Sequence, residues 1–411
     1  MRHSAGSQNG AYTRVGRWSM SAAALGIALF LSACAGQPAP GSTAPPSERP
    51  QPSESPSAAP IEAAPSARLA AGCDELVPPA LLVPVFAEEL SLRPIGFDHS
   101  SNGPVAVSLL QLGSVNCVWA NDQTLQPWES ASVKGYRGVH LTVVPEGEAP
   151  WLAYAETYSG GQEVPFAHSE NALGPRCVAE IESCFFQALV GAAWVDLTIT
   201  GVGAADTSND DELVELITPL TDALVQTLSA EPEAPPRWTV PTTVLPLPAD
   251  CTDFLSDAQA EEFAAAGPLS VGVFWDGPRV GQFNHGMNET GAQRCHLNMA
   301  DSDSGIGYFD YLPGGGWGFD ALHEGWKAAG TITADTVPGL RAGDAAVIRC
   351  GVPEEACTAD IRFGGNWIQL NLTAYLPDQF MYPEGVDIRV GRDNIADFAA
   401  AIVANLNGAV S

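Results

Sequence analysis

Nine cysteines carry most of the chemistry available to this chain of 411 residues, because a thiolate can accept a lipid, close a disulfide or ligate zinc. Eight of them form two sets with the same spacing: Cys73, Cys117, Cys177 and Cys184, then Cys251, Cys295, Cys350 and Cys357. The ninth, Cys34, follows Leu31-Ser32-Ala33 and an apolar run from about Ala22, itself preceded by Arg2, Arg14 and Arg17. That run is too short to span a bilayer, and the small residues before Cys34 suit cleavage after its thiol has taken a diacylglycerol. Residues 1–33 therefore read as a secretory signal and Cys34 as the lipidated first residue of the mature chain. Export would place the other eight in an oxidising compartment. Their long gap followed by Cys-x6-Cys lacks the paired knuckles of a zinc site, so four disulfides are expected, Cys73–Cys117, Cys177–Cys184, Cys251–Cys295 and Cys350–Cys357.

Other constellations are weaker. Asp301-Ser-Asp303-Ser-Gly305 begins like a calcium loop but continues with Ile306 and Leu312 where glycine and an acid are needed, so it reads as a hairpin turn and no metal is expected. His99, His140, His168, His285, His296 and His323 never fall at ligand spacing. The chain has no Gly-x-Ser-x-Gly, Ser-x-x-Lys or phosphate-loop motif, and Lys134 and Lys327 are its only lysines. No catalytic residue and no cofactor is expected on these grounds. With 48 acids, a carboxylate pair of the glycosidase kind is one alternative the sequence leaves open. Pro313-Gly-Gly-Gly-Trp317-Gly-Phe319 offers two aromatics on a glycine-rich loop that would fold over a ligand. The plainer reading has its Trp plug the core, as Trp151 would at the matching place.

The elements that position these residues are legible from a unit that occurs twice, Cys-x6-Cys-x9-Trp, ending at Trp194 and Trp367. In the second copy Thr358 to Phe363 alternates as a strand, Gly364-Gly365 tolerates the positive φ of a tight turn, and Asn366 to Tyr375 runs back. Ile368, Leu370 and Leu372 then share one face, and Trp367, Gln369 and Asn371 the other; Val195, Leu197 and Ile199 oppose Trp194, Asp196 and Thr198 in the first copy. Each Trp thus sits on the polar side. Pairing about the turn sets Trp367 beside Arg362, where a guanidinium can lie on the indole. Trp194, Trp367, Arg362, Trp317 and Phe319 are accordingly the candidate ligand-binding residues, unless a helix covers that side and the tryptophans are core.

Each half opens on Cys-x-x-Leu or Cys-x-x-Phe before a helical pattern, passes through a strand-rich region ending at Cys117-Val-Trp119 or Cys295-His-Leu297, and closes on an amphipathic helix. This order predicts an α+β protein of two tandem like domains, each an antiparallel sheet with N- and C-terminal helices packed on one face. The expected division is signal 1–33, Pro/Ser/Ala tether 34–71, domain one 72–231, Pro-rich linker 232–248 and domain two 249–411. Leu31-Ser32-Ala33-Cys34 resembles the lipobox of bacterial lipoproteins. With the Pro-rich tether and the Cys-bracketed domain, the chain is similar to actinobacterial secreted lipoproteins of unknown function, a resemblance that implies fold and localisation and no activity. The formal net charge of −30 disfavours nucleic acid and anionic lipid headgroups as partners. The sequence points to a non-enzymatic binding or scaffold protein, lipid-anchored at the outer face of the cell membrane, with a cell-wall or envelope-protein partner. The alternatives are an envelope hydrolase with a site between the domains, or an accessory or sensor subunit of another envelope protein.

Overall fold

The computed structural model describes residues 64–94, 103–121, 135–158, 171–202, 209–264, 268–273, 281–299, 305–350, 356–373 and 394–410. The signal segment, Cys34, most of the tether, the Asp301–Asp303 turn, Lys134, His99 and His168 lie outside them.

Domain one runs α1 (Cys73–Leu76), α2 (Pro79–Phe86), β1 (Ser91–Arg93), α3 (Pro104–Gln111), β2 (Val115–Ala120), β3 (Gly138–Val144), α4 (Glu148–Tyr158), β4 (Ala172–Val178), β5 (Ser183–Val190), β6 (Ala193–Thr200) and α5 (Asp210–Ser229). Domain two repeats the plan: α6 (Cys251–Phe254), α7 (Asp257–Ala264), β7 (Leu269–Val273), α8 (Gln282–Thr290), β8 (Gln293–Met299), β9 (Gly305–Leu312), α9 (Gly316–Ala328), β10 (Ile332–Ala334), β11 (Ala345–Cys350), β12 (Ala356–Phe363), β13 (Asn366–Thr373) and α10 (Ile395–Val410). The described strands form one antiparallel sheet per domain, ordered β1-β2-β3-β6-β5-β4 and β10-β11-β12-β13-β9-β8-β7. Read backwards, the first matches the second, with β10 as the addition.

Local chemistry accounts for the elements. Gly364 and Gly365 both have positive φ, 55° and 85°, so the β12–β13 turn has the twist that a two-residue hairpin needs, and Arg362 pairs with Trp367 across it. Ser256 and Gln259 form the reciprocal box that starts α7, with Gln259 N donating to Ser256 Oγ and Ser256 N to Gln259 Oε1. Asn209 caps α5 by accepting from Glu212 N at 2.9 Å. All four disulfides close as the spacing predicts. Cys177–Cys184 and Cys350–Cys357 join residues directly opposite in the ladder, with Cα atoms 4.0 and 4.2 Å apart. Cys73–Cys117 and Cys251–Cys295 tie each opening helix to its sheet.

The outer face of each sheet packs on its terminal helices. In domain one Leu141, Val195 and Leu197 meet Phe86, Ile217 and Leu224; in domain two Ile361, Ile368 and Leu370 meet Phe254, Phe398 and Ile402. The strand-rich regions before Cys117 and Cys295 each hold a helix, α3 and α8, where sequence alternation suggests strand alone. These two helices cross between the domains. Val105 and Val107 of α3 belong to the inner core of domain two with Trp367 and Phe319, while Leu109 and Leu112 join Trp151 and Trp194 in domain one. At the crossing a Cβ on Gly286 would lie 2.5 Å from Ser108 Oγ, so glycine is needed for the approach.

The linker is a strap rather than a loose tether. Leu245 N donates to Gly364 O, and Asn366 joins the strap, the hairpin turn and the start of α9 through Leu245 O, Phe363 O and Gly314 N. Arg237 spans Glu146 of domain one and Glu289 on α8, at 3.2 and 2.6 Å. Buried Arg68 holds the same Glu146 at 2.8 Å, and its guanidinium beside that carboxylate keeps Glu146 below its ordinary pKa.

Candidate functional site: the inner sheet faces

The inner faces are where the candidate tryptophans lie, and both are fully buried, at 0 % exposure. An exposed platform is therefore overturned. The cover comes from α4 and α9, not from the terminal helices: Trp151 stands edge-on to Trp194 at 6.0 Å, and Trp326 lies 6.5 Å from Trp367. Gly318 comes so close that a Cβ would be 3.2 Å from the Trp367 ring. The glycine-rich segment is thus not a loop over a ligand but the entry to α9, which starts three residues before Phe319. Phe319 is buried and takes the place in α9 that Trp151 takes in α4, each the fourth residue of its helix, whereas Trp317 is only half-buried. Arg362 pairs with Asp320 and stands 5.8 Å from the Phe319 ring. The guanidinium that lies on an indole is Arg349, 4.0 Å over Trp326.

Around Trp367 the strand register builds a polar row that sequence reading passed over. Arg294, Asp310, Gln369 and Asp360 are successive cross-strand partners on β8, β9, β13 and β12, all on the inner face. Arg294 grips Asp310 with two bonds of 2.7 Å. Asp360 Oδ2 accepts from Arg349 at 2.7 and 3.0 Å, and its Oδ1 from Trp367 Nε1 at 3.0 Å and Gln369 Nε2 at 2.7 Å. Every carboxylate oxygen of the row is thus committed, as burial of charge requires. Burial pushes the Asp310 carboxyl above its ordinary range, although the bidentate Arg294 grip pulls the other way. His296, two residues along β8, is pushed down to about 4 by burial and by the Arg294 guanidinium, and stands neutral.

Domain one has a matching row of Asn116, Thr142, Asp196 and Gln187 on β2, β3, β6 and β5. The acid and amide have changed places, with Gln187 at the position of Asp360 and Asp196 at that of Gln369. Gln187 Nε2 donates to Asp196 Oδ2 at 2.7 Å, and desolvation raises the Asp196 carboxyl to about 6 against that bond. Each row lies under the other domain's crossing helix. Gln282 at the start of α8 donates to Trp194 O at 2.9 Å, and Gly103 at the start of α3 sits against Gln369 Oε1. The available signal was the polar residue two places after each repeated Trp; what the alternation does not carry is which strand supplies its partner.

A separate cleft of about 950 Å³ lies on the outer side of domain two, between Pro246–Pro248, α6 and the end of α10. Its polar groups Ser256, Gln259 and Asn405 bond one another. Among the described residues no group of three His, Cys, Asp or Glu is placed to hold a metal ion, and no helix is long and apolar enough to cross a membrane. Comparison of the chain with protein-family models, with curated proteins and with solved structures finds no match in any of the three.

Proposed function

We propose that this is a lipid-anchored binding or scaffold protein of the cell envelope, held through Cys34 at the outer face of the membrane, of the kind seen in actinobacterial secreted lipoproteins. The observation that carries the reading is the set of four disulfides, two of them cross-strand, in a chain that opens on a signal-like segment ending at Cys34. Such bridges are characteristic of proteins outside a reducing compartment. In domain two the state of the inner-face acids supports a non-enzymatic role over an envelope hydrolase. Asp310 and Asp360 share one row, yet arginine, tryptophan and glutamine hold all their oxygens, leaving neither as a mobile proton donor. The net charge of −30 favours cationic over anionic partners, with a cell-wall or envelope-protein component as the occupant.

Detergent partitioning tests the anchor. Mature protein from its native host enters the detergent phase, and Cys34→Ala sends it to the aqueous phase. Unchanged partitioning of the variant contradicts the reading. Binding is then tested by titrating the full chain with solubilised wall fragments.

A further inference from the structure

The duplication supplies an internal control for the inner rows. In domain two each carboxylate is met by a guanidinium of its own sheet, Asp310 by Arg294 and Asp360 by Arg349. In domain one the register puts Asn116 where Arg294 stands. Arg176, which precedes Cys177 as Arg349 precedes Cys350, is exposed and lies 5.9 Å over Phe185. Among the described residues Asp196 therefore pairs with no cation, and its one hydrogen-bond partner is the neutral Gln187. It remains within reach of water, as do Asn116, His140, Thr142, Phe185, Gln187 and Thr198 on the same face.

The charged groups that share this face are Arg93 of β1, whose Nε donates to Ala120 O, and Arg176 of β4, which lies over Phe185; neither pairs with Asp196, and the groups nearer to it are uncharged or weakly basic. β2 offers Asn116, β3 Thr142 and His140, β5 Gln187 and Phe185, and β6 Thr198. From α8 comes Gln282, whose amide is already donated to Trp194 O, and from α4 comes Tyr154, 5.4 Å from Trp194. His140 Nε2 is engaged with the Tyr136 hydroxyl at 2.7 Å. One anionic acceptor among hydroxyl, amide and aromatic neighbours is a recognition set for a nitrogen cation.

We infer that the inner row of domain one binds a small organic cation bearing a primary ammonium, which occupies at Asp196 the role that Arg294 and Arg349 fill within domain two. This rests on the binding reading above and names its ligand class. Asp196 takes the charge, the Thr198 hydroxyl and Asn116 amide lie on the same face for the remaining N–H groups, and Phe185 offers a ring to the attached carbon chain. The strong negative charge of the whole protein concentrates such cations at its surface.

The test is isothermal titration calorimetry on the full chain in nonionic-detergent micelles, using n-butylammonium chloride, with n-butanol and tetramethylammonium chloride as controls at matched ionic strength. Saturable heat with butylammonium, none with butanol and a much weaker response to the cation lacking N–H groups are the expected results. Asp196→Asn lowers the affinity roughly tenfold or more, as loss of a recessed charge partner does. Should that variant fail to fold, the wild type still decides, because its affinity falls as pH drops from 7.5 to 5 and Asp196 takes up its proton. Affinity that is flat over that range, or equal for all three probes, overturns the inference. Binding of wall fragments without any butylammonium response also overturns it, while leaving the broader binding reading in place.

Discussion

Asp196 and Asp360 occupy swapped places in two copies of one design, and their surroundings give them opposite demands. Asp360 is satisfied by Arg349, Trp367 and Gln369, so Asp360→Ala would strand the buried Trp367 and Gln369 donors and a half-buried guanidinium, and is costly. Asp196 is desolvated without a counter-charge, so its ionised form burdens the fold. Its carboxyl rises from 3.8 in the unfolded chain to about 6 in the folded one. Between those values the unfolded chain holds fewer protons, so stability declines as pH rises through the window and the loss is complete above it. Discounted for the water that still reaches the group, the loss is about 2 kcal/mol. Asp196→Asn should therefore exceed the wild type in urea-unfolding stability by about that amount at pH 7.5 and match it near pH 4. Neutral His296, down at about 4, acts in the opposite sense over part of the window but cancels in the difference. A gap independent of pH would show that the carboxyl is not perturbed.

At the scale of elements, the hairpins were the most legible part of the chain. Gly364-Gly365 specifies its turn and Ile368, Leu370 and Leu372 specify its outer face, because turn chemistry and two-residue alternation are local properties. The crossing helices were illegible for the same reason. In α3, Pro104–Gln111, Val105 and Val107 face domain two while Leu109 faces domain one. A helix apolar on both sides has no stripe to reveal it. Alternation puts the tryptophans on the correct face of their strands but does not report what covers that face, so the exposed and the core readings both stayed open. The cross-strand bridges belong to this scale too. Each closes a short loop, and replacing Cys350 and Cys357 together by alanine should cost roughly 2 to 4 kcal/mol in denaturant unfolding while leaving Cys251–Cys295 intact by peptide mapping. A variant as stable as the wild type would mean that the ladder alone holds β11 to β12.

The whole molecule is two like domains closed on each other. Domain one lends α3 to the inner core of domain two, Gln282 of α8 reaches back to Trp194 O, and Arg237 and Arg68 converge on Glu146 to fasten the strap across the junction. The seal over Trp367 is completed by the other half. Val105 and Val107 lie in the core of domain two although domain one encodes them. Differential scanning calorimetry of the full chain with its disulfides intact tests this coupling most directly. A shared inner core predicts one cooperative transition for both domains, split into two by Gly286→Leu, whose side chain has no room beside Ser108 and Leu109. Two independent transitions in the wild type, with Gly286→Leu altering neither, would contradict it.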